Sequence, residues 1–288
     1  MSRPADFVIE FLQAEQARGV SHVHLDEGAR DAMRTMLRRA LAQPAASSAH
    51  SAPAVFTPRV TAPQAVELPA EMPQVAVAGD TKVARLASLR QQAANWAPAR
   101  ELGTLRRTMV FATGNPEARL MLVGEAPGYE EAKQGEPFVG PAGQKLDLIL
   151  NTMGLSRAEV YICNIVKFRP ATPNQSTNNR QPTAAEIAAC LPFVRAEIDI
   201  IRPACIVALG STAAECLLGL TGTVGSMRGS WHRLGGIPVR VTYHPSYLLQ
   251  GGANLVIKRQ VWDDMLMVME ELIMPISVRQ RGLFLQKG

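Results

Sequence analysis

The chain has 288 residues, 47% hydrophobic, 19% charged and 5% aromatic, and its 30 Lys and Arg against 25 Asp and Glu leave a formal charge of +5. A wholly disordered chain is excluded, the sparse aromatics argue against an all-β sandwich, and the basic excess permits a polyanionic partner without identifying one. The four cysteines, Cys163, Cys190, Cys205 and Cys216, form no CxxC pair, no apolar run reaches a membrane span, and the first residues lack the order of a secretory leader, so a reducing cytosol is expected.

Apolar residues at helical spacing (Phe7, Val8, Phe11 and Leu12, then Met33, Met36, Leu37 and Leu41) predict two short amphipathic helices in a small N-terminal segment, 1–42. Over 43–80 the composition turns to Pro, Ala, Ser, Val and Thr, which predicts a disordered, semi-extended linker. A helix over 81–96 leads into the main domain, 81–288. There, short β-branched strands at 120–123, 160–166, 204–209 and 239–242 alternate with helices at 142–153, 183–201, from 212, and at 255–273. Thr183-x-x-Glu186 is a capping box that starts the second of these helices. Buried strands joined by crossover-length helices predict an α/β domain, with a central four-stranded parallel sheet covered on both faces. Ligands of such sheets sit beyond the carboxyl ends of the strands, which directs attention to the segments after Val123, Val166, Leu209 and Thr242.

After the first of these strands come Gly124-Glu-Ala-Pro-Gly128 and Gln134-Gly-Glu-Pro-Phe-Val-Gly140. The glycines and prolines allow tight, backbone-exposed turns, and the second loop can hold the Phe138 ring over the same pocket. Asn164 lies near the end of the next strand, where an amide offers both a donor and an acceptor to a nucleobase edge. His244-Pro-Ser-Tyr-Leu-Leu249 puts an imidazole and a hydroxyl at the same sheet edge; His232, beside Trp231, is the competing histidine.

Taken in order with Val160-Tyr-Ile-Cys-Asn-Ile-Val-Lys167 and Ile206-Val-Ala-Leu-Gly210, these motifs resemble the uracil-DNA glycosylase superfamily, most closely its family 4, over about half the chain. The resemblance implies a three-layer αβα sandwich. It implies that Glu125 positions or polarises the water attacking C1′ and stabilises the cationic sugar, and that His244 stabilises charge growing on uracil O2. Phe138 would stack on the flipped base, Asn164 would bond its edge, and Gly124 and Ala126 would complete the uracil pocket. Leu248 resembles the wedge that fills the vacated stack, and Lys167, Arg228 and Ser246 are candidate DNA phosphate contacts. Glu131 is a secondary carboxylate candidate.

Family 4 members resemble one another in carrying a four-cysteine iron–sulfur cluster. Here Cys190 alone matches, Phe168 stands where a third cysteine would be, and 97–104 holds none. No cluster, no metal and no organic cofactor are therefore expected. The polar loop 171–181 looks longer than the family's, Pro141 stands where an arginine is common, and Gly128 is small where some relatives place a tyrosine that blocks thymine. A covalently trapping branch has a histidine in the segment matching 169–182, and this chain has none there, so suicide cross-linking is not expected. The expected protein is a monomeric, cytoplasmic, nucleoid-associated bacterial glycosylase acting on uracil in single- or double-stranded DNA. It has no membrane contact, and its N-terminal segment is a candidate for binding a protein partner. A non-catalytic module for damaged or single-stranded DNA, a hydrolase of free nucleosides, and a glycosylase for other deaminated bases stay open as alternatives.

Overall fold

The computed structural model describes residues 73–172, 174–249 and 255–285, all within a compact unit spanning Val60–Gly288. The expected N-terminal segment and most of the expected linker lie outside the described residues. Helix α1 (Lys82–Ala94) starts at Thr81, whose hydroxyl accepts from the Ala84 N–H, and α2 (Ala97–Glu101) follows. Next come β1 (Leu105–Met109), β2 (Ala112–Gly114), β3 (Leu120–Gly124), α3 (Tyr129–Gln134), α4 (Pro141–Met153), β4 (Tyr161–Asn164) and β5 (Phe168–Pro170). The chain continues through α5 (Ala184–Ile201), β6 (Cys205–Leu209), α6 (Ser211–Leu218), α7 (Val224–Met227), β7 (Trp231–Leu234) and β8 (Ile237–Thr242). A 3₁₀ turn at Pro245–Leu249, α8 (Leu255–Glu271) and α9 (Val278–Arg281) complete it. The Thr183 capping box begins α5 as expected, with reciprocal bonds between Thr183 and Glu186.

The four strands expected to be parallel are parallel, adjacent in the order β4-β3-β6-β8. The sheet nevertheless has six strands, because β2 and β7 pair antiparallel along its two edges, and β1 and β5 form a separate ribbon. The edge strands β2 and β7 are short and only partly buried, so they lack the continuous apolar run that betrays an interior parallel strand. Along β3, Met121 and Val123 enter a core shared with α1, α2, α5 and α6, while Leu120 and Leu122 enter one shared with α4 and α8. In β6 the same division separates Ile206 and Ala208 from Cys205, Val207 and Leu209. A strand alternates its side chains between the two faces of a sheet, so apolar residues at every position require helices on both sides, which is the three-layer αβα sandwich. The connection from β3 goes to β4 on one side, and the next parallel strand, β6, lies on the other. The reversal leaves a crevice beyond the carboxyl end of β3.

One expected phosphate contact is corrected here. Lys167 is fully buried: its Nζ lies 2.5 Å from Glu197 Oε2 on α5 and 3.4 Å from the Phe111 carbonyl, and the Tyr161 hydroxyl donates to Glu197 Oε1 at 2.9 Å. A cation so enclosed cannot meet DNA; it neutralises a carboxylate inside the larger core. Lys167→Met is expected to destabilise the fold by about 3–5 kcal/mol, because it strands Glu197 without its counter-charge. Adding Glu197→Gln, which keeps an acceptor for Tyr161, should recover most of the loss in urea unfolding. A Lys167→Met protein as stable as wild type would contradict the pairing.

Candidate active site

Glu125, Phe138, Asn164 and His244 come from four separate stretches of chain and line one cavity of about 190 Å³ beyond the carboxyl edge of the sheet, with Ala126 and Gly128 in its wall. Asn164 ends β4 in register with Gly124 at the end of β3 and is 2% exposed. Its Oδ1 has no hydrogen-bond partner among the described residues. Gly124 makes this arrangement feasible: a Cβ there would fall 2.3 Å from Asn164 Oδ1 and 2.5 Å from Phe138 Cζ. The absence of a side chain at 124 therefore lets the amide and the ring approach the same backbone.

Phe138 is buried with φ 56°, a left-handed conformation that costs a non-glycine residue about 1–3 kcal/mol and persists only where its surroundings impose it. Arg157 supplies that constraint, donating to the carbonyls of Phe138 at 2.8 Å and Pro137 at 2.5 Å while pairing with Asp147. Gly143 lets the helix behind come close, since a Cβ there would lie 1.7 Å from the Phe138 carbonyl oxygen. The Phe138 ring centroid is 5.5 Å from that of His244. Glu131 spends both carboxylate oxygens on backbone N–H groups, Oε2 on Gly128 and Oε1 on Val139 and Gly140, and so ties the two glycine-rich loops together.

Burial raises the pKa of Glu125; a hydrogen bond from Thr212 opposes the shift and nearby Glu215 adds to it. Burial pushes the His244 imidazole down to about 4, so the ring is neutral near pH 7. The Ser246 N–H donates to its Nδ1 at 3.2 Å, and the Ser246 hydroxyl lies 2.8 Å from the same atom. A nitrogen that accepts from a backbone N–H carries no proton, so the neutral ring keeps its N–H on Nε2.

The other expected site residues fare differently. Ser246 holds His244 as described. Arg228 is corrected as a phosphate contact: its guanidinium is engaged with Asp264 at 2.9 Å and the Gln260 carbonyl at 2.6 Å. Leu248 is half-buried in a surface hollow with Leu148, Lys145, Lys258 and Phe284, whereas neighbouring Tyr247 and Leu249 are exposed. His232 bonds the Met227 carbonyl and does not line the cavity. The residues that sequence reasoning missed are Arg157, Thr212, and Asn179 and Arg180 from the polar loop, the last two lining the cavity. Asn179 stands beside Gly128, where an added Cβ would meet its Nδ2 at 3.0 Å. Thr212 alone carried a usable signal, lying two residues past Gly210 at a strand's carboxyl end.

An iron–sulfur cluster of the kind family 4 implies can be tested against these side chains. Cys190 is fully buried, and burial pushes its thiol up to about 11, away from the thiolate that ligation needs. Phe168 packs into the core, and the hollow beside it is lined by Arg100, Arg106 and Arg107. Among the described residues no three His, Cys, Asp or Glu side chains converge as a ligand set. The residues present do not fit such a cluster.

Fold and cavity together define an αβα-sandwich protein with a small cavity, lined by polar and aromatic side chains, at the carboxyl ends of its parallel strands. The profile of the Uracil DNA glycosylase superfamily matches residues 111–266, and the chain belongs to that superfamily. It is 45% identical over 163 residues to the Type-4 uracil-DNA glycosylase of Thermotoga maritima, a match covering 55% of this chain and 80% of that protein. The Type-4 uracil-DNA glycosylase of Pyrobaculum aerophilum is 39% identical over 153 residues, covering 50% of this chain and 75% of its own. A Type-5 uracil-DNA glycosylase of the same organism is 31% identical over 162 residues, covering 50% and 69%. No helix among the described residues is long and apolar enough to cross a membrane.

Proposed function

We propose that the protein is a uracil-DNA glycosylase, which hydrolyses the N-glycosidic bond of a flipped-out uracil and leaves an abasic site. The observation that carries the reading is the orphan Asn164 Oδ1, a buried acceptor facing a cavity that also presents an aromatic ring, a carboxylate and a neutral imidazole. A buried polar atom without a partner is costly, and a ligand donor repays it. The N3–H of uracil supplies that donor, while the Asn164 amide N–H serves O4, so the side chain reads the pyrimidine edge.

Bond cleavage develops positive charge on the sugar and negative charge on the departing base. Glu125 would stabilise the first and hold the attacking water; the Nε2–H of His244 would donate to uracil O2 and stabilise the second. This is electrostatic preorganisation, and it requires His244 to be neutral and correctly protonated before the reaction, as the low pKa and the Ser246 contacts favour. Phe138, held by Arg157, would stack on the base and offset part of the few kcal/mol that flipping costs. The Pro245–Leu249 turn would enter the vacated stack, and Lys145 and Lys258 beside Leu248 are the cations available to phosphates there. A cytoplasmic, nucleoid-associated, monomeric enzyme belongs to the same proposal.

End-labelled single-stranded, U·G and U·A oligonucleotides, treated with the protein and then with alkali, provide the test. Scission at uracil in at least one substrate is expected, with free deoxyuridine left intact. No scission in any of the three would overturn the reading in favour of a binding module.

A further inference from the structure

Glu125 is held from a helix outside its own loop. Gly210, at φ +96°, follows β6 as the N-cap of α6 with its Cβ position 3.3 Å from the Cβ of His244, so α6 begins tightly against the His244 segment. Thr212 lies in the first turn of α6, nearly buried, and its Oγ1 donates to Glu125 Oε2. That is the one hydrogen bond made by the Glu125 side chain among the described residues, and it leaves Oε1 unengaged. Glu215, three residues further on and therefore on the same face of α6, acts on the same carboxylate with the opposite electrostatic sign, and Cys216 is a second neighbour from that helix. The charged groups that other elements bring to the cavity are already committed. Glu131 of α3 is bonded to three backbone N–H groups, Arg180 of the polar loop forms a two-point pair with Glu186, and His244 is tied to Ser246.

We propose that Thr212 is a positioning residue for the reaction: its hydroxyl anchors one oxygen of Glu125, aims the other at the bound nucleotide, and, set against Glu215 one turn away, makes α6 the element that sets the acid limit of activity. The proposal rests on the role of Glu125 in uracil excision given above. A carboxylate is useful beside a developing sugar cation only while ionised and correctly turned. A donor on Oε2 favours both conditions, whereas a second carboxylate on the same face opposes ionisation.

Single-turnover uracil release should be followed from about pH 5 to pH 9 for wild type, Thr212→Val, Thr212→Ser and Glu215→Gln. Activity falls as pH drops through the pKa of Glu125, so the position of the acid limb reports that group. Thr212→Val, which keeps the side-chain shape, is expected to move the limb up by about half a unit to one unit and to slow release about tenfold at neutral pH. Thr212→Ser, which restores the hydroxyl, should return both toward wild type. Glu215→Gln, at a partly exposed position, should move the limb down. A limb unmoved in Thr212→Val or in Glu215→Gln, or a Ser variant as impaired as the Val variant, would overturn the proposal while leaving the glycosylase reading intact. A wild-type protein that released no uracil at any pH would overturn both.

Discussion

Glu125→Gln is expected to slow uracil release about a thousandfold while leaving the fold unchanged. Glutamine has the same shape and can still accept from Thr212, so neither packing nor the bond to α6 is lost. What disappears is a full negative charge beside the sugar as it turns cationic. Two unit charges about 4 Å apart at an effective dielectric of about 20 interact by about 4 kcal/mol, and that energy corresponds to about 10³ in rate. Single-turnover cleavage with enzyme in excess isolates the chemical step, and a thermal melt checks the fold. A glutamine variant as fast as wild type would remove Glu125 from the mechanism.

Asn164→Leu is expected to separate activity from stability. Leucine nearly matches asparagine in shape but removes both polar side-chain atoms, including the acceptor that has no partner. Loss of two buried hydrogen bonds to the base, at about 1.5 kcal/mol or more each, should lower kcat/KM for uracil-containing DNA by about 10²–10³. The same change replaces an orphan polar atom with an apolar one beside Phe138, so the variant should melt at or above the wild-type temperature. A variant that lost stability and activity together would indicate that Asn164 props up the sheet edge and does not read a base. The Lys167→Met variant provides the contrast: that residue is equally buried, but its partner is Glu197, so stability is lost first.

How far the site was legible in the sequence varied by residue for identifiable reasons. Glu125, Asn164 and His244 sit where parallel strands end, and Phe138 sits in a Gly/Pro loop that gives a ring no helical face to join; position made each a candidate, and the motifs in combination carried the family resemblance that gave them roles. Lys167 misled because a lysine just past a strand end reads as exposed, and nothing local announces a carboxylate 30 residues away. Arg228 misled in the same way, since Asp264 is 36 residues further on. Thr212 bonds Glu125 across 87 residues, and Arg157 clamps the Phe138 loop from 19 residues downstream. The place of Thr212 just past a strand end marks it as a candidate, but nothing local names Glu125 as its partner, and the Arg157 contact has no local signature at all. The two edge strands escaped notice because partial burial gives them no apolar run, and the parallel strands stood out because burial on both faces does.

By itself, the sequence determined the layers and the sheet edge at which the candidate site lies. Both are consequences of periodicity: apolar side chains at every strand position demand helices on two faces, and crossover connections place every βα loop at one end of the sheet. Only the tertiary structure decided which polar and charged groups in and around that edge are free. Lys167, Arg228 and Glu131 are consumed by partners, whereas one oxygen of Asn164 and one of Glu125 are left facing the cavity. The physical reason is that freedom to act on a ligand depends on which charges and donors the fold brings within hydrogen-bond range, and the partners of Lys167 and Arg228 lie 30 and 36 residues away along the chain.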